Sequence, residues 1–131
     1  MNRKWIFSGK TEDLASMREE VRGFLRETCI DDDVSEVIVL AIDEACTNII
    51  RHAYKGEAKP FRIEMSRLKN RLRFVLRDYG IPCEKPKIQS RDLDEIRPGG
   101  LGVHIIQQVF DLVEYSPKAR GTRLTLEKMT S

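Results

Sequence analysis

The chain has 131 residues, 23 basic and 21 acidic, for a formal net charge of +2, and 40% of it is hydrophobic. A single domain of this length can bury roughly two thirds of its unfolded surface, so a core without staples is within reach, and a (β/α)8 barrel of about 250 residues is excluded. The near balance of signs speaks against nucleic acid or an anionic membrane as partner.

In chain order, residues 3–8 read as a short strand. The first dozen residues reach acid at Glu12 without an apolar stretch, which is not the pattern of a signal peptide. Thr11 is a hydroxyl N-cap signal with Glu12 and Asp13 behind it, where negative charge suits the helix dipole. Leu14, Met17, Val21, Phe24 and Leu25 then recur at three- and four-residue spacing, predicting an amphipathic helix to about Thr28. Asp31, Asp32 and Asp33 read as the N-cap of a second helix, from about Val34 to Tyr54. At 100° per residue, Val34, Val37, Ile38, Ala41, Ile42, Ala45 and Ile49 form its core stripe. The longest apolar run, Val37 to Ile42, is far short of the ~20 residues that span a bilayer.

Two alternating strands follow, Phe61–Leu68 and Leu72–Arg77, joined by a tight link at Lys69-Asn70-Arg71. Residues 79–100 are rich in Pro, Gly and charge, as a lid or binding loop would be. A third helix opens at Leu101 and ends near Phe110. The last strands are Leu112–Ser116 and Thr122–Lys128, with a turn from Pro117 to Gly121. The order β-α-α-β-β-(loop)-α-β-β implies an α+β two-layer sandwich: a mixed, mostly antiparallel sheet with helices on one face. Cys29, Cys46 and Cys83 are odd in number and widely spaced, and read as buried or idle thiols in a reducing compartment.

Four short patterns could carry chemistry. Glu44 and Asn48 are one helical turn apart at the border of the apolar stripe. They read either as a structural hydrogen-bond network or as a site, with the Asn oxygen ligating Mg²⁺ and Glu as base. Asp78-Tyr79-Gly80 follows a strand end. It reads as a simple turn, or as a carboxylate that accepts from the amine of adenine beside a backbone that lets a flat ring approach. Gly99-Gly100-Leu101-Gly102 precedes a helix and could turn backbone N–H groups toward a phosphate. Gly121-Thr122 opens the last strand.

In this order the four patterns resemble the nucleotide site of the GHKL superfamily, whose fold is the Bergerat or histidine-kinase-like ATPase fold. The N box is similar to Glu44-Ala45-Cys46-Thr47-Asn48-Ile49-Ile50-Arg51-His52-Ala53-Tyr54, the G1 box to Asp78-Tyr79-Gly80, the G2 box to Gly100-Leu101-Gly102 and the G3 position to Gly121-Thr122. Nearly the whole chain is covered, as one ATP-binding kinase domain over residues 1–131. Within the superfamily the chain most resembles the small anti-sigma-factor serine/threonine kinases of bacteria. The resemblance implies ATP and Mg²⁺ as cofactors, Glu44 as catalytic base and Asn48 as the metal ligand. It implies Asp78 and Gly80 at adenine, Gly100, Leu101 and Gly102 at the phosphates, Thr122 behind Asp78, and residues 81–99 as the lid. Lys85, Lys87, Arg91 and Arg97 in that segment read either as cations that reach the γ-phosphate from the lid or as solvated charges. The implied partners are a STAS-type antagonist as phosphoacceptor, a sigma factor, and a second copy of the chain, in the cytoplasm. Two alternatives stand beside it: a stress-signalling switch kinase that holds no sigma factor, and a nucleotide-gated binding module with little phosphotransfer.

Overall fold

In β2 (Phe61–Arg67) the side chains of Phe61, Ile63 and Met65 alternate into the interior, and in β3 (Arg71–Arg77) Leu72, Phe74 and Leu76 do the same. Successive side chains of a strand leave opposite faces, so each strand has one apolar and one polar side. These positions belong to a computed structural model that describes residues 2–54, 59–80 and 100–130. The remaining strands are β1 (Asn2–Phe7), β4 (Leu112–Pro117) and β5 (Thr122–Met129). They form one sheet in the order β1-β2-β3-β5-β4.

Every neighbouring pair is antiparallel, so the mixed sheet of the sequence reading becomes a fully antiparallel one among the described residues. The register aligns Ile63 with Leu76 and Leu76 with Leu124, which builds one apolar row across three strands. β3 and β4 both run against β5, so they are parallel to each other with β5 between them.

Three helices supply the second layer: α1 (Leu14–Glu27), α2 (Asp32–Asn48) and α3 (Gly100–Val109). Met17, Val21, Phe24 and Leu25 of α1 are buried, as their spacing predicts. In α2, Ile38, Ala41, Ile42 and Ala45 are buried, but Val34 and Val37 are exposed. The apolar stripe therefore rolls out of the core at the start of α2. Rings interlock within the sheet and across the layers: Phe7 of β1 meets Phe61 of β2 edge-on at 4.8 Å, and Phe74 of β3 meets Phe24 of α1 at 6.0 Å and Phe110, just past α3, at 5.9 Å. Such tilted pairs stabilise beyond the area they bury.

Helix starts differ in detail from the expectation. Residues Thr11–Asp13 form a 3-10 turn whose N-cap is Lys10, with no side-chain cap bond. Asp31 does occupy the N-cap of α2 but makes no side-chain hydrogen bond. Asp32 and Asp33 in its first turn still complement the helix dipole. Arg71, read as part of a hairpin link, is the first residue of β3, and the turn closes through Leu68 N–H to Arg71 O at 2.8 Å. Cys46 is buried, Cys29 is exposed, and Cys83 lies outside the described residues. No helix among the described residues is long and apolar enough to cross a membrane.

Gly23 sits inside α1, and nothing lies within 4 Å of where its Cβ would be. Glycine weakens a helix interior because it has more backbone freedom to lose. Gly23→Ala is expected to raise stability by roughly 0.5–1 kcal/mol. A higher urea midpoint with an unchanged slope would report it.

Candidate functional site

Asp78 continues the inward phase of β3 one step past the strand, so its carboxylate enters the interior and is only 4% exposed. Its N–H donates to Thr122 O at 3.1 Å, and its Oδ1 accepts from Gly80 N–H at 3.0 Å. Burial pushes the Asp78 carboxyl up, and the backbone amides of Gly80 and Thr122 and the charge of Arg77 pull part of that back. Gly121 has φ +79°, and a Cβ there would lie 2.1 Å from Asp78 O. Only glycine permits both this conformation and this approach. Arg77 donates to the carbonyls of Asp78 and Arg120, and its guanidinium lies 4.4 Å from the centre of the Tyr79 ring. The turns at 78–80 and 120–122 are thus stapled together.

The other candidate residues lie at the end of α2. Glu44 and Asn48 are both half-buried. Asn48 Oδ1 is buried and has no hydrogen-bond partner among the described residues. A buried acceptor without a donor carries a desolvation cost, and among the described residues nothing offsets it for Asn48. Next to Glu44, Asp43 is held by Arg18 at 3.1 Å and points elsewhere.

Beyond Asn48 the helix does not simply continue to Tyr54. It widens into a π-helical turn, Ile49–Ala53, and Tyr54 N–H bonds to Ile49 O at 3.0 Å. By the 100° count Tyr54 falls about 180° from the middle of the apolar stripe, on a side the sequence assigns to solvent. The wider turn swings it inward, and Tyr54 is buried. Its hydroxyl donates to Pro60 O at 2.7 Å and accepts from Tyr79 N–H at 3.1 Å. Burial pushes the phenol up, so it stays protonated. One hydroxyl therefore ties the end of α2 to the entry of β2 and to the Asp78 turn. Sequence reasoning found no role for Tyr54, and a helical count that assumes a constant pitch cannot reveal one.

The predicted residues fall into three groups. Asp78, Gly80 and Thr122 are brought together, with Thr122 buried and joined to Asp78 through the backbone. Glu44 and Asn48 stand one turn apart on α2. Gly100, Leu101 and Gly102 form the first turn of α3, which begins at Gly100 instead of Leu101. The lid reading, with Lys85, Lys87, Arg91 and Arg97, lies outside the described residues. His52, one helical turn beyond Asn48, is exposed. No group of three His, Cys, Asp or Glu among the described residues could by itself hold a metal.

Tyr54→Phe would leave Tyr79 N–H and Pro60 O without their partner in a closed space. A loss of roughly 1–3 kcal/mol of stability is expected, measured by urea denaturation.

Known proteins give the frame for this geometry. Residues 7–128 match the family model described as histidine kinase-like ATPase domain. The chain is 27% identical over 113 residues to serine-protein kinase RsbW of Bacillus cereus strain AH187, and 29% identical over 113 residues to serine-protein kinase RsbW of Bacillus thuringiensis strain Al Hakam. Each match covers 80% of this chain and 71% of the relative. Among solved structures, the histidine kinase domain from the Erythrobacter litoralis EL346 blue-light activated histidine kinase shares the fold, with a TM-score of 0.59 at 14% identity. That match covers 88% of this chain, which spans 60% of the length of that histidine kinase chain. A match over this much of the sheet and all three helices decides the assignment: the chain belongs to the histidine kinase-like ATPase domain family.

Proposed function

We propose that the chain is an ATP-dependent protein serine/threonine kinase of the cytoplasm. It acts as an anti-sigma regulatory factor that phosphorylates a STAS-type antagonist and sequesters a sigma factor. The family supplies ATP as the nucleotide, and the relatives named serine-protein kinase supply the direction of transfer. The observation that carries the reading is the buried, unpartnered Oδ1 of Asn48, one turn beyond a half-buried carboxylate.

The donor set fits Mg²⁺. A neutral amide oxygen is a hard ligand, and this ion commonly takes one or two protein oxygens and completes its shell with phosphate and water. When bound, Mg²⁺ neutralises charge on the phosphates. Asn48 would hold it there. Glu44 would accept the proton of the attacking serine or threonine hydroxyl, being one turn away on the same side of α2. Asp78 would accept a hydrogen bond from the adenine amine, with Gly80 leaving room for the ring and Thr122 behind. The N–H groups of Gly100, Leu101 and Gly102 at the start of α3 would face the phosphates. Tyr54 would hold the Asp78 turn at a fixed distance from α2. In phosphoryl transfer such positioning and charge neutralisation supply most of the catalysis.

Glu44→Gln is expected to keep MgATP affinity within a few-fold and to lower phosphate transfer by about 10²–10⁴-fold. Asn48→Ala should weaken MgATP binding instead. Titration with a fluorescent nucleotide, beside a γ-labelled ATP transfer assay, separates the two. Transfer by Glu44→Gln at the wild-type rate would remove Glu44 as the base.

Asp78 adds a pH dependence. Its raised pKa means that protonation begins above the ordinary value of 3.8. ATP affinity should therefore fall on acidification while exposed carboxylates are still ionised. Folding of the free chain responds with the opposite sign. A carboxyl whose folded pKa is raised binds protons more tightly when folded, so this group's contribution to stability declines as pH rises from 3.8 toward the folded value. Asp78→Asn should lower ATP affinity about 10–100-fold at neutral pH and remove its share of the pH dependence. Calorimetric titration across pH would measure both.

A further inference from the structure

Three large apolar side chains stand exposed along the first half of α2: Val34 is 38% exposed, Val37 47% and Leu40 48%. Their burial in the core was the sequence expectation for two of them, and the tertiary structure leaves both outside. At 100° per residue, Val37, Leu40, Glu44 and Asn48 share one face of the helix, at successive steps of three or four. A single stripe thus runs from two half-exposed apolar side chains to a carboxylate and then to a buried amide oxygen without a hydrogen-bond partner among the described residues. Beside it lies a groove of about 540 Å³ between α2 and α3. Val34, Val37, Ile105 and Val109 form its apolar walls, with Asp33 and Lys128 among its lining residues.

We infer that this stripe docks the segment of the phosphoacceptor protein that carries the target hydroxyl. The inference rests on the kinase reading above and adds a substrate surface to it. A helix rises 1.5 Å per residue, so Leu40 lies about 6 Å and Val37 about 10 Å along the axis from Glu44. An extended segment at about 3.3 Å per residue spans those distances in two and three residues. A hydroxyl held at Glu44 therefore lays its neighbours two to three positions away over Leu40 and Val37. Those neighbours are apolar, because the surface they meet is apolar and the two charges lining the groove cancel. A second copy is the poorer occupant. The face carries Glu44 and Asn48, and a permanent cover there would close the site to its own substrate.

The test compares the full chain with the Val37→Ser/Leu40→Ser double variant. Both positions are half-exposed, so folding should survive, with circular dichroism as the control. Phosphate transfer from γ-labelled ATP to a STAS-type antagonist protein is followed across antagonist concentration. The expected result is a tenfold or greater rise in KM for the antagonist, with kcat within twofold. Fluorescent-nucleotide affinity should stay within twofold. An unchanged KM overturns the docking surface while leaving the kinase reading intact. Absence of transfer by the wild-type chain overturns the kinase reading and the surface with it. A lower oligomeric state of the variant by light scattering, at unchanged KM, assigns the patch to a second copy and also overturns it.

Discussion

The site depends on one close approach. Asp78 and Thr122 are joined backbone to backbone at 3.1 Å, and Gly121 passes so near Asp78 O that no side chain fits between. This contact carries the β3–β5 register past the end of the sheet. It sets a carboxylate inside the protein at a point where the strand would otherwise leave its partner. The buried charge is tolerated because two backbone amides and a neighbouring guanidinium offset part of its desolvation. Arg77 closes the outside of the same junction by holding Asp78 O and Arg120 O together.

From that fixed point Tyr54 measures the distance to α2. The rest of α2 carries three kinds of position on one rod. Its inner side, Ile38, Ala41, Ile42 and Ala45, fills the core between sheet and helices. Its border holds Glu44 and Asn48, half in and half out. The same border, nearer the start of the helix, carries the exposed Val37 and Leu40. A regular helix keeps these in strict phase, so burying the inner side orients the other two without further contacts. The π-helical turn then breaks the phase at the one point where a side chain must turn back inward.

Part of the high charged content forms surface pairs that position little. Arg22 meets Glu19 and Glu36 at 3.0 Å, and Arg18 meets Asp43 at 3.1 Å. On the open face of the sheet, Arg71 and Arg73 both hold Glu127, at 3.1 and 2.7 Å. Burial raises the Glu127 carboxyl, but the Arg73 hydrogen bond and the two positive charges outweigh it and keep the group below the usual carboxylate range. Exposed pairs of this kind contribute about 0–1 kcal/mol each.

Much was legible from residues alone. Period-two and period-3.6 patterns marked each element, because burial on one face repeats with the pitch of the backbone. The order of the elements excluded a parallel sheet. The spacing of Glu44 and Asn48, the Asp78-Tyr79-Gly80 turn and the Gly121-Thr122 strand start marked candidate chemistry, because each residue type there limits what the position can do. What needed the tertiary structure was everything set by contacts distant in sequence. Val34 and Val37 carry the right period for core, yet no element among the described residues covers them, and periodicity cannot say where a neighbouring helix ends. Tyr54 is buried only because the helix changes pitch and because Pro60 and Tyr79 arrive from two other segments. Gly121 reads locally as a turn, and its requirement comes from Asp78, more than forty residues earlier. Local sequence determined the elements and the residue types of the site. Only folding decided which of those residues meet, because that depends on sheet register and helix packing that no local pattern encodes.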